Sequence, residues 1–232
     1  MEPSNEVDIR GLDFVEVLAN CVHDIKNSAG IVMNAAESIH VAVSDPAVRS
    51  QLTALQTDAR RINHDLVHLL GLYKLERSKQ GICPAIVDCE ELLLELGAYN
   101  GPLLEARGIQ FESDPGDSIE GYFDRDLVIG ILNSVINNAQ RYANNTVRVS
   151  CGVDDGFTVL TVADDGEGYA DEMLDCSELE MGSTDYSSGS TGLGLYFARR
   201  IAELHCHRNR TGRVTLSNDG INGGGSFRLW LP

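Results

Sequence analysis

A histidine, an aspartate and an asparagine lie close together near the start of the sequence, as His23, Asp24 and Asn27. They fall inside an apolar repeat from Val15 to Val43 whose steps alternate three and four residues, the period of a helix packed in a bundle. Because His23 follows an apolar position directly, we expect its imidazole at the bundle surface. An exposed imidazole beside a carboxylate can be a nucleophile whose ring N–H is held by a base. The alternative is a plain solvated side chain.

A second group with chemical potential is Asn138, Arg141 and Tyr142, on a helix predicted over residues 124–142. An asparagine carbonyl can complete the oxygen shell of Mg²⁺ without adding negative charge beside phosphates. Arg141, one turn further on, can pair with a phosphate. By itself the group indicates little, because surface helices often carry these residue types.

The third group, Asp164, Gly166 and Gly168, directly follows a strand predicted over residues 157–163. Glycines allow the backbone to approach a ligand closely. The Asp164 carboxylate can accept a hydrogen bond from an exocyclic amine, which selects adenine over guanine because the corresponding edge of guanine is an acceptor. The alternative is a plain acidic turn.

A glycine-rich turn leads into the last predicted helix, over residues 192–205. It consists of Ser190, Thr191, Gly192, Leu193, Gly194 and Leu195. Such a turn favours phosphate binding, because the free N–H groups and the dipole of the helix N-terminus attract anions. It is not a Walker motif, since no Gly-Lys-Ser/Thr follows.

Two domains are expected to position these groups, over residues 11–80 and 84–232. In the first, the sequence Ser44-Asp45-Pro46 separates two apolar helical repeats and predicts an antiparallel helical hairpin. One hairpin cannot bury both sides of its apolar stripe, so we expect a homodimer that forms a four-helix bundle. Packing of the hairpin on the second domain is the alternative. Gly81–Pro84 is predicted to be a hinge between the domains.

The second domain alternates predicted strands and helices, which favours an α+β layered fold. Helices are predicted over 88–106, 124–142 and 192–205, and strands over 109–112, 119–123, 147–151, 157–163, 214–217 and 226–231.

Composition limits the classes of function. The chain has 232 residues, 43% of them hydrophobic, and a formal net charge of −17, which argues against nucleic acid or an anionic membrane as a partner. No apolar run approaches the length of a membrane span and the start is polar, so we expect no membrane insertion and a cytoplasmic location. The six cysteines lack paired spacing and are expected to be reduced.

Taken together, the motifs resemble those of the cytoplasmic core of bacterial two-component sensor histidine kinases. The shared patterns are His-Asp-x-Lys-Asn from His23, Asn-Ala-x-Arg-Tyr from Asn138, Asp-x-Gly-x-Gly from Asp164 and Thr-Gly-Leu-Gly-Leu from Thr191. Their order and spacing are those of the family, and the resemblance extends over nearly the whole chain.

The resemblance implies a dimerising phosphotransfer hairpin followed by an α/β sandwich ATP-binding domain of the histidine-kinase and gyrase (GHKL) type. His23 would accept a phosphoryl group from ATP and pass it to an aspartate of a response-regulator receiver domain. Asp24 would draw the ring proton, and Asn27 matches the position that aligns water when such proteins act as phosphatases. A separate upstream sensor protein would be one source of the signal.

The resemblance also assigns roles at the nucleotide. Asn138 would be the Mg²⁺ ligand, Arg141 and Tyr142 nucleotide contacts, and Asp164 the adenine contact. The pocket and its lid would be shaped by Gly166, Gly168, Ser190, Thr191, Gly192, Leu193, Gly194 and Leu195.

The sequence departs from the family pattern at three positions and lacks one motif. Ser28, Ser134 and Ser190 stand where the family often has Pro, Asn and Gly, and no phenylalanine motif lies between the two glycine motifs. Two alternatives therefore stay open: a phosphatase-biased enzyme, and a non-catalytic signalling scaffold of the same fold.

Overall fold

The chain divides into two compact units, residues 1–78 and 79–232. The structure, a computed structural model, describes residues 82–174 and 193–232. Before them it describes only positions 25, 28, 30–32, 35, 36, 38, 39, 43, 45, 48, 49, 51, 52, 55 and 59.

The described positions of the first unit are helical on both sides of a break. Those from 25 to 39 and from 48 to 59 are helical, whereas Val43 and Asp45 are not. The Arg49 side chain donates from Nε to the Val43 carbonyl at 2.7 Å, and its backbone N–H donates to the Asp45 carbonyl at 3.1 Å. The break lies where Ser44-Asp45-Pro46 predicts it. The antiparallel pairing of the two helices stays a prediction.

The second unit contains nine described strands and four α-helices. In chain order they are β1 (Ala85–Asp88), α1 (Cys89–Glu105), β2 (Gln110–Asp114), β3 (Glu120–Phe123), α2 (Arg125–Tyr142), β4 (Thr146–Asp154), β5 (Phe157–Asp164), α3 (Asp171–Leu174), α4 (Leu193–Leu204), β6 (Cys206–His207), β7 (Arg210–Thr211), β8 (Arg213–Ser217) and β9 (Ser226–Leu231), with a 3₁₀ turn at Ile221–Gly223.

A five-stranded mixed sheet forms the centre of this unit, in the order β2-β4-β5-β9-β8. The β2–β4 pair is parallel and the other pairs are antiparallel. Helices α1, α2 and α4 pack on the sheet, and alternate residues of β4, such as Val147, Val149 and Cys151, are buried. The core therefore lies between one sheet and a layer of helices, and the predicted α+β layered domain is confirmed.

Side-chain caps start the two long helices. Asp88 accepts hydrogen bonds from the backbone N–H groups of Glu90 and Glu91 before α1, and Asp124 accepts one from that of Leu127 before α2. Such caps supply acceptors for backbone N–H groups that the first helical turn leaves without a partner. Helix α1 runs through Pro102 without interruption.

Sequence patterns did not reveal the shortest elements. Strand β1 directly follows the predicted boundary segment Gly81–Pro84 and pairs only with β3, in a separate two-stranded sheet. Strands β6 and β7 have two residues each, and α3 has four, which is too short for any hydrophobic period to show.

Two further sequence expectations can be compared with the described residues. Cys83, Cys89, Cys151 and Cys206 are free thiols, as expected. No helix among the residues that the structure describes has the length and apolarity of a membrane span.

Candidate active site

Helix α2 presents one polar edge at its C-terminal end. Its other side is apolar and buried, through residues such as Val128, Leu132, Val135 and Ile136. Asn138, Arg141 and Tyr142 are exposed, with the Arg141 guanidinium carbon 5.8 Å from the centre of the Tyr142 ring. Burial of the apolar stripe thus fixes the direction in which the three predicted site residues face.

Asp164, the last residue of β5, is a buried carboxylate, and the described residues donate hydrogen bonds to only one of its two oxygens. The residue is only 7% exposed. Its Oδ1 accepts hydrogen bonds from the backbone N–H groups of Gly166, at 2.8 Å, and Gly225, at 3.3 Å. Its Oδ2 accepts none from the residues that the structure describes. Burial raises the pKa of Asp164 above its usual range, against the two backbone hydrogen bonds, which lower it.

A buried acceptor without a partner is costly unless a ligand supplies the donor. Oδ2 of Asp164 therefore fits a ligand amine, which is the contact that the adenine hypothesis requires.

Gly166 lies in the loop after β5 and packs against the end of α2. A Cβ atom added there would collide with the Tyr142 carbonyl oxygen and would lie 2.8 Å from Asp164 Oδ1. Only a residue without a side chain allows this approach. The second and third predicted groups therefore meet at Gly166.

A glycine is needed at position 168 for a different structural reason. Its φ of +83° lies in the left-handed region, and an added Cβ would lie 2.6 Å from Oδ1 of Asn218. Asn218 in turn pairs with the backbone of Tyr169, accepting from its N–H at 2.7 Å and donating to its carbonyl at 2.9 Å. This pairing fixes the loop that leaves the site.

Helix α4 brings the last predicted motif to the same place. A Cβ atom on Gly194 would lie 3.1 Å from Ser134 Oγ and 3.8 Å from Asn138 Nδ2. The first turn of α4 therefore packs directly on α2 beside Asn138. Leu195 is partly buried in the same turn.

The structure thus brings three of the four motifs together, through Asn138, Tyr142, Asp164, Gly166 and Gly194. The predicted residues His23, Asp24, Asn27, Ser190, Thr191 and Gly192 lie outside the described residues, as does the side chain of Leu193. For those residues the sequence assignments stay predictions.

Sequence reasoning missed the glycine-rich loop between β8 and β9. Gly225 donates to Asp164, and a Cβ on Gly224 would collide with the Asp164 carbonyl oxygen. The signal was available, because Gly223-Gly224-Gly225 interrupts two strands and three successive glycines indicate close backbone approach.

Asp165 was also missed, and its role is to hold the neighbouring turn. Its Oδ1 accepts from the backbone N–H groups of Asn144, Asn145 and Thr146 at 2.9, 2.9 and 3.0 Å. Partial burial raises the pKa of Asp165, but these hydrogen bonds lower it, with a net decrease. The turn after α2 is thereby fixed to the end of β5.

The arrangement combines a buried acceptor, glycines that allow close approach, an exposed amide and the start of a helix. These are the parts needed to hold a purine base at one end and phosphates at the other.

Comparison with known proteins indicates which class of domain carries this arrangement. Residues 123–232 match the family described as histidine kinase-, DNA gyrase B-, and HSP90-like ATPase. The chain is 28% identical over 206 residues to the signal transduction histidine-protein kinase BaeS of Escherichia coli (strain K12), covering 80% of this chain and 43% of BaeS. It is 24% identical over 221 residues to the sensor histidine kinase CssS of Bacillus subtilis (strain 168), covering 93% and 46%.

A solved structure shares the fold. Full-length ShkA, crystallised in complex with AMPPNP, superposes with a TM-score of 0.62 at 22% identity, covering 94% of this chain and 45% of ShkA. This chain therefore spans less than half the length of each of these three proteins. The resemblance predicted from the motifs is confirmed: residues 123–232 match the histidine kinase-, DNA gyrase B-, and HSP90-like ATPase family, and the chain as a whole is similar to sensor histidine kinases.

Proposed function

We propose that the chain is an ATP-dependent protein-histidine kinase that autophosphorylates His23 and transfers the phosphoryl group to an aspartate of a response-regulator receiver domain. The observation that carries the proposal is buried Asp164, whose Oδ2 accepts no hydrogen bond from the residues that the structure describes and whose carboxylate lies beside Gly166, where the second and third motifs meet. The kinase names of the sequence relatives favour this activity over the phosphatase-biased and scaffold alternatives.

The site accommodates ATP from its base to its phosphates. Asp164 Oδ2 would accept a hydrogen bond from the adenine amine, and Gly166 and Gly168 keep the surrounding backbone free of side chains. Tyr142 and Arg141 are exposed at the end of α2, where Arg141 can pair with a phosphate. The N-terminus of α4, continuous with Thr191 and Gly192 in the sequence, would bind the phosphates.

The donor set also fits Mg²⁺. Asn138 offers an exposed amide oxygen beside the first turn of α4. An oxygen ligand without charge suits a cation that is shared with phosphates. Bound there, Mg²⁺ would neutralise charge on the triphosphate.

The transfer itself requires little covalent chemistry from the protein. An imidazole nitrogen of His23 forms the P–N bond as the bond from the γ-phosphorus to the bridging oxygen breaks, and ADP leaves. The ring proton passes to the Asp24 carboxylate. In the phosphatase reaction, which is a separate step, Asn27 would hold the water that attacks the phosphoaspartate of the regulator and releases inorganic phosphate.

Dimerisation through the hairpin has support in the exposure of its apolar residues. At seam positions of the predicted helices, Ile25, Val32, Ile39 and Leu55 are 42–49% exposed in the single chain. Large apolar side chains on one stripe are normally covered. A second copy of the hairpin would cover them in a four-helix bundle.

The response regulator, a cytoplasmic location and an upstream sensor protein belong to the same proposal. They rest on the likeness of the chain to the cytoplasmic core of sensor kinases.

The decisive test is incubation of the chain with γ-labelled ATP and Mg²⁺. The parent should acquire label that is acid-labile and alkali-stable, as a phosphohistidine is. His23→Ala should acquire none, and Asp164→Asn should acquire much less at limiting ATP. Absence of label on the parent, with nucleotide binding intact, would overturn the kinase proposal.

Two matched substitutions act as controls. Asp154→Asn makes the same chemical change as Asp164→Asn on an exposed residue of the β4–β5 hairpin, and His207→Ala removes an exposed histidine from β6. Both should label as the parent does.

A further inference from the structure

His205, which directly follows α4, is a buried imidazole with both ring nitrogens engaged. The residue is only 2% exposed. Its Nδ1 lies 2.8 Å from the Ile201 carbonyl oxygen, and its Nε2 lies 3.0 Å from the backbone nitrogen of Asp124. Because Asp124 N–H must donate and the Ile201 carbonyl must accept, the ring is neutral, with the proton on Nδ1. The imidazole therefore bridges the end of α4 and the start of α2.

The backbone of His205 is fixed as well. Its N–H donates to the Ala202 carbonyl at 2.9 Å, and its carbonyl accepts from the Gly212 N–H at 2.8 Å. The position of the imidazole thus follows the position of α4 closely.

Asp124 continues the connection in the opposite direction. Its Oδ1 caps α2 by accepting from the Leu127 N–H at 3.2 Å. Its Oδ2 accepts from the backbone N–H of Cys83 at 2.9 Å. One carboxylate therefore serves a helix cap with one oxygen and holds the segment that precedes β1 with the other. That segment, residues 82–84, lies a few residues after the boundary between the two units, which falls between residues 78 and 79, and is called here the leading segment.

We propose that His205 and Asp124 are positioning residues that couple the phosphate-binding helix α4 to the leading segment of the ATP-binding unit. The inference rests on the proposed function, because it takes the N-terminus of α4 as the phosphate site. The coupled set, His205, Asp124 and the Cys83 N–H, is called the relay below.

The rigidity of α4 allows the relay to transmit a shift from the phosphate site to the leading segment. A helix of 12 residues is about 18 Å long and moves as a rigid rod, so a shift of its phosphate end is felt at its other end. That end carries His205, whose displacement changes the hydrogen bond to Asp124 and, through the same residue, the hold on Cys83. Nucleotide binding at one end of α4 thereby biases the segment through which the phosphotransfer unit is attached.

The relay predicts a specific kinetic effect. Breaking it should impair the approach of ATP to His23 while leaving the nucleotide contacts intact. It should therefore lower kcat for autophosphorylation rather than raise KM for ATP.

Asp124→Ser separates the two tasks of Asp124. Serine is a good N-cap, so the bond to Leu127 N–H can be kept, but a single hydroxyl oxygen cannot also hold Cys83. We expect kcat to fall about tenfold with KM for ATP within about twofold. Asp88→Ser is the matched control, because Asp88 caps α1 in the same way through Glu90 and Glu91, and it should change neither constant.

His205 is tested by a graded pair of substitutions. His205→Gln keeps an acceptor for the Asp124 N–H and should retain most of the rate, whereas His205→Phe keeps none and should resemble Asp124→Ser. Because the residues act as one unit, the double variant Asp124→Ser/His205→Phe should be no slower than the slower single variant. Three results would overturn the relay. These are a fall in kcat in Asp88→Ser equal to that in Asp124→Ser, a double variant in which the two falls in kcat multiply, and variants in which only KM changes.

Amide hydrogen exchange over residues 79–88 gives a readout that does not depend on phosphoryl transfer. In the parent, AMPPNP should change exchange of the Cys83 amide at least about threefold, and in Asp124→Ser this amide should exchange fast with or without AMPPNP. A parent that binds AMPPNP with no change at Cys83 overturns the relay. A parent that shows the exchange response but transfers no phosphoryl group overturns the kinase proposal and supports the relay. A parent that does not bind AMPPNP overturns both.

Discussion

Replacement of Asp164 by asparagine tests the nucleotide site most sharply, because it changes one atom and keeps the shape. In Asp164→Asn the amide oxygen can still accept from the Gly166 and Gly225 N–H groups. The amide nitrogen then takes the place of Oδ2 and turns an acceptor into a donor. A ligand amine would meet a second donor where it now meets an acceptor.

The magnitude follows from the hydrogen bond that is lost. A hydrogen bond with a charged partner contributes about 1.5–3 kcal/mol, and about 1.4 kcal/mol is a factor of ten in affinity. We therefore expect the Kd for ATP to rise roughly 10- to 150-fold. The preference for ATP over GTP should fall as well, since the new donor suits the carbonyl oxygen of guanine.

The Asp164→Asn substitution should weaken ATP binding without lowering the stability of the protein. Burial raises the pKa of Asp164, so the folded state disfavours the charged carboxylate at neutral pH. Asparagine removes this penalty and keeps the backbone hydrogen bonds, so the melting temperature should not fall. Weaker binding with unchanged or higher stability identifies a ligand contact rather than a structural one.

Isothermal titration with ATP and GTP at fixed Mg²⁺, together with thermal melts, measures both quantities. Asp154→Asn is the control, and should bind ATP as the parent does. If the Kd of Asp164→Asn for ATP lies within about twofold of the parent's, the reasoning is refuted, because such an increase is much smaller than the loss of a charged hydrogen bond should cause. A parallel loss of stability would show that Asp164 is structural.

Two further predictions concern the loops around the site, and the single tryptophan, Trp230 in β9, reports on both by fluorescence. Gly168→Ala places a side chain at φ +83° and should destabilise the unit by about 1–3 kcal/mol in urea titrations, whereas Gly152→Ala, which meets nothing within 4 Å, should not. The lowered pKa of Asp165 contributes stability that is present above about pH 4 and lost as the pH falls through and below that value. Asp165→Asn should therefore be less stable at pH 6 but lose less stability between pH 5 and 3, and equal losses in parent and variant would contradict this.

The long elements could be predicted from the sequence because each carries its own local signal. Helix α2 has a capping aspartate and a sustained apolar stripe, and the β4–β5 hairpin has the Asp155-Gly156 turn, whose positive φ angles suit these residues. Observed bounds therefore differ from the predicted ones by only a few residues. Strand β1, by contrast, is fixed by its pairing with β3, more than thirty residues away in the chain, which no local pattern records.

The site was predictable where residues act through their own side chains, as Asn138 and Asp164 do. It was not predictable where a residue acts by lacking one or by holding backbone. Gly224 and Gly225 matter because the loop between β8 and β9 passes against Asp164, and Asn218 matters because it pairs with Tyr169 from another loop. These contacts join positions some fifty or sixty residues apart, so only the tertiary structure reveals them.

Contacts within the tertiary structure also restrict where a hinge can lie within the predicted segment Gly81–Pro84. The Cys83 N–H is bound to Asp124, and residues from Ala85 onward pair with β3. A rotation about bonds at or beyond Cys83 would have to break the hydrogen bond to Asp124, whereas a rotation before Cys83 breaks none of these contacts. The pivot should therefore lie before Cys83, at Gly81 or Ile82, and the relay sets where the rigid part of the ATP-binding unit begins. Whether that limit shifts when nucleotide binds is the property that the exchange of the Cys83 amide measures.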